Sequence, residues 1–202
     1  MERYYFFILF GYLSGSILFA RLLPKYLRHI DICELSEDNN PGVFNAFKHA
    51  GPVIGSMTLL LELAKGFLPV HVGLQLLDPR NTLFALVLAA PVFGHAFPLF
   101  RPKEGGKSIA VSFGCLLGLF PDLAPVCTLA AFYLLFSAVI IIEPHLVRSI
   151  VTYLCFSLMT FRYSAPRPVI LGALVISGIV IFKHLVKFEK EPVSIRLPRR
   201  NR

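Results

Sequence analysis

Long apolar runs separated by short polar stretches extend along almost the whole chain. A helix needs about 20 mostly apolar residues to cross the hydrocarbon core of a bilayer. Seven runs approach this length, and they cover roughly residues 4–23, 52–77, 82–100, 108–120, 123–142, 146–161 and 168–186. The fourth and sixth runs are short, so five or six spans remain an alternative if one of them is re-entrant. The pattern predicts an all-α integral membrane protein with about seven transmembrane helices in one bundle.

Composition supports the same class. Hydrophobic residues make up 55% of the 202 residues and charged residues 16%, whereas soluble domains carry about 25% charged residues. The first run lacks a basic leading segment and a small-residue cleavage site, so we expect it to stay as a helix. We predict a single transmembrane domain over residues 1–190, followed by a basic cytoplasmic tail, 191–202, that tethers to lipid headgroups without fixed structure.

The distribution of basic residues predicts the orientation. Lys and Arg concentrate on the cytoplasmic side of short membrane loops, and with seven spans most of them fall on one side, together with the C-terminus. The opposite side carries only Arg3, Arg80, Arg162 and Arg167. The net charge of +8 is therefore best explained by topology and attraction to anionic lipid, and no nucleic-acid partner is expected.

A basic loop with two glycines, Arg101 to Ser108, follows the third run. If the next helix starts at Ser108, then Gly105, Gly106 and Lys107 lie at its N-terminus, where free N–H groups and the helix dipole favour an anion. A nucleotide-binding P-loop is excluded, because Arg101 stands where that motif needs its first glycine. The four cysteines form no C-x-x-C pair, so no metal site is predicted.

The longest polar stretch, about residues 24–51, contains the amide-rich and turn-forming segment of the chain. Asp, Asn and Gly favour tight turns whose backbone N–H groups suit oxygen-rich ligands. The candidate residues in this segment are Asp38, Asn40, Gly42, Asn45 and Lys48. A solvated connector with ordinary turn chemistry is the alternative interpretation.

Charged and titratable residues also lie within or beside the apolar runs. Glu62 and Lys65 are three residues apart on one helical face, so they either form a structural ion pair or face a polar cavity where Lys65 meets a phosphate. His95 precedes the glycine loop, and His184 shares a helical face with Lys187 at the end of the last run. A hydrogen-bonded structural role is the alternative for a lone histidine at a helix end.

Together, these segments resemble the bacterial acyl-phosphate:glycerol-3-phosphate acyltransferases, the PlsY family, over most of the chain. The family's first motif is approximately G-S-G-N-x-G-A-T-N-x-x-R, followed by D-x-x-K-G, G-H-x-F-P, a G-G-K loop and H-x-x-N. The residues that match are Asn40, Gly42, Asn45, Lys65, Gly66, Gly94, His95, Phe97, Pro98, Gly105, Gly106, Lys107 and His184.

The departures from this pattern fall on polar positions. Asp38 stands where the family has serine, Phe44 where it has threonine, Lys48 where it has arginine and Lys187 where it has asparagine. Lysine in place of arginine loses bidentate phosphate recognition, and Asp38 adds negative charge where the family would bind a dianion. Both changes oppose tight binding of glycerol-3-phosphate, whereas Lys187 adds a positive charge.

The resemblance implies transfer of a fatty acyl group from acyl-phosphate to glycerol-3-phosphate, giving lysophosphatidate. It places the site on the cytoplasmic side of a bacterial plasma membrane, with acyl-phosphate, glycerol-3-phosphate and membrane lipid as partners and no cofactor. The expected phosphate and pocket residues are Asn40, Gly42, Asn45, Lys48, Lys65, Gly105, Gly106, Lys107, Ser108 and Lys187. His184, His95 or Asp38 would receive the hydroxyl proton, unless the acyl-phosphate itself takes it.

Two other hypotheses remain open at this point. The chain could be a member of the family whose catalytic motif has decayed, acting as a lipid-binding or regulatory membrane protein. It could also be an acyltransferase with a different, less anionic acceptor. The sequence does not determine the oligomeric state.

Overall fold

A computed structural model describes residues 1–163, 165–186 and 192–197 of the chain. This part is mainly helical, with a single pair of short strands. The helices, in chain order, are α1 Glu2–Ser16, α2 Phe19–Arg28, α3 Ile32–Leu35, α4 Val43–Ala50, α5 Pro52–Leu76, α6 Phe84–Ala96, α7 Ile109–Leu117, α8 Ala124–Leu134, α9 His145–Thr160 and α10 Arg167–Val186.

Helices α5 and α6 form the centre of the bundle. Helix α1 packs on α6, α7 packs on α5, and α10 packs on both α6 and α9. The backbones of α1 and α6 come close at Gly15 and Gly94, where an added Cβ would overlap the main chain of Pro91 and Tyr12, respectively. Small residues permit this close packing between apolar helices, as expected for a membrane bundle.

The first apolar run is not one helix. Helix α1 ends at Ser16 and α2 begins at Phe19, with a bend of 40° between them. The run was expected to end at about residue 23, but α2 continues through Pro24 to Arg28. Helix α2 buries Ala20 and Pro24 and exposes Tyr26, and this two-sided character is typical of a helix that lies along a membrane surface.

Two described helices, α5 and α10, are long and apolar enough to cross a membrane. The bent pair α1 and α2 adds a third if it counts as one span. The shorter apolar helices are Phe84–Ala96, Ala124–Val139 and His145–Thr160. The count of seven spans therefore stays a prediction of the apolar pattern.

Residues 123–142, expected to form one helix, divide into three parts. Helix α8 ends at Leu134, a π-helical turn covers Leu135–Val139, and strand β1 follows at Ile141–Glu143. Strand β2, Ser194–Arg196, pairs with β1 in antiparallel register, Ile142 opposite Ile195. The expectation of a tail without fixed structure is thus wrong for residues 194–196, where backbone pairing and an Arg196–Glu143 ion pair hold the chain.

Candidate active site

A cavity of about 670 Å³ lies between helices α5 and α7 and the polar loop before α4. Four lining residues, Asp38, Asn40, Asn45 and Lys107, are linked by hydrogen bonds and an ion pair and form the polar end of the cavity. The rest of the lining includes the polar side chains of Glu62, His95, His145 and Arg148 and the apolar side chains of Leu59, Leu63, Val111 and Phe113. The cavity can therefore hold a molecule with a charged head and a hydrocarbon chain.

Lys107 forms an ion pair with Asp38 at the polar end, with 2.7 Å between Nζ and Oδ2. The Lys107 side chain is 12% exposed and that of Asp38 is 34% exposed. Because this pair is partly buried, solvent and salt screen it less than they would screen a fully exposed pair. The predicted phosphate-binding lysine is thus present at the cavity wall with a carboxylate already beside it.

The loop before α4 holds Asp38 in place. Its Oδ1 accepts hydrogen bonds from the Asn45 side chain at 3.1 Å and from the Asn40 backbone N–H at 3.3 Å. Asn45 also donates to the Asn40 carbonyl at 2.9 Å. Gly42 leaves room for the Asn40 side chain, since a Cβ there would lie 2.6 Å from Nδ2.

Opposing effects set the pKa of Asp38. Burial raises the pKa, but the hydrogen bond and positive charge of Lys107, with the hydrogen bonds from Asn45 and Asn40, outweigh burial and hold the pKa below its usual range. Each of these partners favours the ionised carboxylate. Asp38 is therefore a weak base near neutral pH.

The glycine loop packs against the end of α6. The Gly106 N–H donates to the His95 carbonyl at 3.1 Å, and an added Cβ at Gly105 or Gly106 would overlap Ala96 or the His95 ring. Neither glycine is among the cavity-lining residues, whereas Lys107 and Ser108 are. The two glycines thus bring the loop close to α6 so that Lys107 reaches the cavity.

We had considered a helix that starts at Ser108, but Ser108 lies just before the helix. It adopts the left-handed conformation, with φ of 62°, and α7 begins at Ile109. Its hydroxyl donates to the Val92 carbonyl at 3.2 Å. This bond anchors the loop to α6 one residue after Lys107.

Glu62, Lys65 and His95 form a buried cluster next to the cavity. Lys65 Nζ lies 2.8 Å from Glu62 Oε2 and 2.9 Å from His95 Nδ1. Glu62 and His95 border the cavity, but Lys65 is not part of its lining. The structural ion pair, one of our two interpretations of Lys65, is the one that this geometry fits.

One expected cation, Lys48, lies away from the cavity. Lys48 has a side chain that is 49% exposed, pairs with Glu37 at 3.5 Å, and is not part of the cavity lining. In this structure α4 turns Lys48 outward, and its role in phosphate binding stays a prediction. Lys187 lies outside the described residues.

His184 is fully buried and lies behind the cavity wall. Its Nδ1 lies 2.8 Å from the Val180 carbonyl, so Nδ1 carries the proton that is donated there. Its ring stacks on His145, with 6.4 Å between ring centroids. His145, which we had not predicted as a site residue, lines the cavity together with His95.

Arg148 is the second cavity residue that the sequence did not identify. Its Nε donates to the Ile142 carbonyl at 2.9 Å, which fixes the base of the guanidinium beside β1. Its spacing of three residues from His145 places both on one face of α9. This spacing was the sequence signal for a shared face. The two residues follow a short turn between apolar runs, however, which gave no reason to assign them to a site.

Taken together, the helices and this cavity define a multi-helix membrane protein with a cavity lined by both cationic and apolar side chains. The chain belongs to the glycerol-3-phosphate acyltransferase family, whose family profile matches residues 5–190. It is a mostly helical integral membrane protein.

Individual relatives agree with this assignment. The chain is 39% identical to a glycerol-3-phosphate acyltransferase of Myxococcus xanthus (strain DK1622) over 58% of its own length and 60% of that protein. It is 31% identical to one of Hydrogenobaculum sp. (strain Y04AAS1) over 87% and 86% of the two lengths. The first of these matches thus covers about three fifths of its relative.

The fold is similar to that of a solved structure. A crystal structure of PlsY (YgiH), an integral membrane glycerol 3-phosphate acyltransferase in its glycerol 3-phosphate form, matches with a TM-score of 0.79 and 25% identity. The match covers 91% of this chain and 88% of that one.

Proposed function

We propose that the protein transfers a fatty acyl group from acyl-phosphate to the 1-hydroxyl of glycerol-3-phosphate, giving lysophosphatidate and inorganic phosphate. The observation that carries this proposal is one cavity whose lining combines the cations Lys107 and Arg148 with apolar side chains such as Leu59, Leu63 and Phe113. The relatives are glycerol-3-phosphate acyltransferases, and the similar solved structure is the glycerol 3-phosphate form of PlsY.

The acceptor hydroxyl attacks the acyl carbonyl carbon, forming the ester bond as the carbon–oxygen bond to phosphate breaks. Cations near the phosphates stabilise the negative charge that develops on the leaving group. Lys107 and Arg148 both line the cavity, where they can contact the phosphates of acyl-phosphate and of glycerol-3-phosphate. The apolar side chains of the lining hold the acyl chain, which enters between helices from the bilayer.

The hydroxyl proton needs an acceptor. His184 lies behind His145, and the Nδ1 of His95 lies between Lys65 and Glu62. Asp38 faces the cavity, but its lowered pKa makes it a weak base. We therefore assign the proton to a phosphate oxygen of the acyl-phosphate, which becomes a better base as the leaving group gains charge. This route requires no metal and no organic cofactor.

The setting we propose is a bacterial plasma membrane, with the cavity opening on the cytoplasmic side. The support is the concentration of Lys and Arg in the loops around the cavity, which favours a cytoplasmic position for them. Glycerol-3-phosphate would then enter from the cytoplasm, while acyl-phosphate and the product move through membrane lipid.

An acyltransferase with a less anionic acceptor is a second candidate. The outward position of Lys48 favours it, because the residue at the family's arginine position pairs with Glu37 and contributes no charge to the cavity. A polyol without phosphate needs fewer cations than glycerol-3-phosphate. Both candidates use the same acyl-phosphate end of the cavity.

Purified protein supplied with labelled acyl-phosphate, with and without glycerol-3-phosphate, tests these proposals. Formation of labelled lysophosphatidate together with phosphate supports the first. Phosphate release with glycerol acylated in preference to glycerol-3-phosphate would overturn the first in favour of the second. No turnover with any acceptor would overturn both and support a lipid-binding or regulatory protein.

A further inference from the structure

The polar end of the cavity already contains an anion that belongs to the protein. Asp38 places Oδ2 2.7 Å from Lys107 Nζ, and its Oδ1 accepts from the Asn45 side chain and the Asn40 backbone. These donors come from two segments that are far apart in sequence, since Asp38 and Lys107 are separated by 69 positions. They are also the residues expected to bind a substrate phosphate.

A carboxylate and a phosphate offer the same kind of oxygen acceptor to a lysine and to amide N–H groups. We propose that Asp38 is a specificity-determining residue that occupies the phosphate position on Lys107, so that a substrate phosphate must displace this carboxylate to bind. This inference rests on the proposed function, because it concerns the phosphate of that reaction.

The surroundings permit such a displacement. Lys107 is only 12% exposed, and its loop is tied to α6 by the Gly106 and Ser108 hydrogen bonds. Asp38 is 34% exposed and lies on a connection between α3 and α4. Of the two partners, the carboxylate is the more exposed, so it can move away from the contact more easily than the ammonium group can.

The consequence is selection by charge. A phosphate monoester carries between about −1.5 and −2 charges at pH 7, so it competes for Lys107 better than a singly charged carboxylate does. A ligand whose only anionic group is a carboxylate gains no binding free energy when it replaces the Asp38 carboxylate on Lys107. The site should thus bind phosphate more weakly than it would without Asp38, but discriminate strongly against monoanions.

Glu37 provides a matched control within the same loop. It is the neighbouring acid, its side chain is 91% exposed, and it pairs with Lys48 outside the cavity lining. Neutralising Glu37 changes the net charge by the same amount as neutralising Asp38, but leaves Lys107 and its partner in place.

Isothermal titration of the full-length protein in detergent with inorganic phosphate tests the inference directly. Asp38→Asn and Asp38→Ser should each bind phosphate roughly 10- to 100-fold more tightly than the natural protein, because a like charge beside the anion is removed. Glu37→Gln should change the affinity less than about twofold, as expected for an exposed charge. Acetate, a monoanion, should show no measurable binding to the natural protein.

Unchanged or weaker phosphate binding in both Asp38 variants would overturn the inference and leave Asp38 as a residue that positions Lys107. Thermal unfolding of each variant confirms that it is folded, and phosphate should raise its unfolding temperature more than that of the natural protein. The titration needs no turnover. Absence of lysophosphatidate in the acyl-transfer assay would therefore count against the proposed function alone.

Discussion

Lys65 Nζ lies 3.0 Å from the carbonyl oxygen of Gly15, at the point where the first helix ends. The same ammonium group donates to the Ile17 carbonyl, and Glu62 accepts from the Ala20 N–H at 3.2 Å. A helix break leaves backbone groups without intrahelical partners, which is costly in an apolar environment. The Glu62–Lys65 pair supplies those partners and so stabilises the bend between α1 and α2.

We expect Lys65→Met to destabilise the protein by about 3–5 kcal/mol, because it leaves Glu62 buried without its charge partner. Lys103→Met is the control, since Lys103 is exposed in the loop after α6 and should change stability by less than about 0.5 kcal/mol. Denaturant unfolding in detergent measures both. Equal stability of the two variants would show that the bend does not depend on Lys65.

The apolar pattern could not have predicted this bend. Residues 4–23 read as one continuous run, and the break at Ile17 becomes favourable only because a buried pair from α5 satisfies the freed backbone groups. The sequence could not predict the pairing of Asp38 with Lys107 either, because the two residues lie 69 positions apart and only the fold brings them together. The glycine loop could be predicted, because two glycines followed by a lysine leave a local signal.

The loop glycines give a second prediction, based on close packing. Gly106→Ala should strongly reduce activity and stability, because the new methyl group would overlap the His95 ring and push Lys107 away from the cavity. Gly178→Ala is the matched control, because an added Cβ there meets nothing within 4 Å. Alanine is favoured over glycine inside a helix by about 0.5–1 kcal/mol, so Gly178→Ala should be neutral or slightly stabilising.

Unfolding temperature and acyl-transfer rate should be recorded for both glycine variants. If Gly106→Ala and Gly178→Ala behave alike, the loop has room to shift and the contact with His95 does not position Lys107.

Lys107→Ala should strongly reduce phosphate-dependent activity. A hydrogen bond to a charged group contributes about 1.5–3 kcal/mol, so loss of the contact between Lys107 and a substrate phosphate should reduce the rate roughly 10- to 100-fold. Lys103→Ala, an exposed lysine of the same loop, should retain activity. Steady-state rates at varied acyl-phosphate measure the effect, and unchanged kinetics for Lys107→Ala would show that the loop is only a connector.

The Asp38–Lys107 pair also predicts a dependence of stability on pH. Because the folded-state pKa of Asp38 lies below its ordinary value, the contribution of its ionised form is fully present above the unfolded pKa of about 3.9. It is lost as the pH falls through the folded-state pKa. Asp38→Asn should therefore be less stable than the natural protein at neutral pH by about 1 kcal/mol or less, and the difference should disappear at low pH.

Unfolding curves for the natural protein and Asp38→Asn, collected from pH 7 down to pH 3, measure this contribution. A gap that widens toward acid pH would contradict the assigned direction of the pKa shift.

The last prediction compares a cation that lines the cavity with one that does not. Arg148 lines the cavity and Lys48 does not, although Lys48 stands at the family's arginine position. Arg148→Gln should raise the KM for glycerol-3-phosphate by roughly 10- to 100-fold, as expected for a lost charge-assisted contact of about 1.5–3 kcal/mol. Lys48→Gln should raise it less than about threefold, because its partner Glu37 is largely exposed. Full kinetics at varied glycerol-3-phosphate measure both values, and the reverse order would show that α4 turns Lys48 into the cavity when substrate binds.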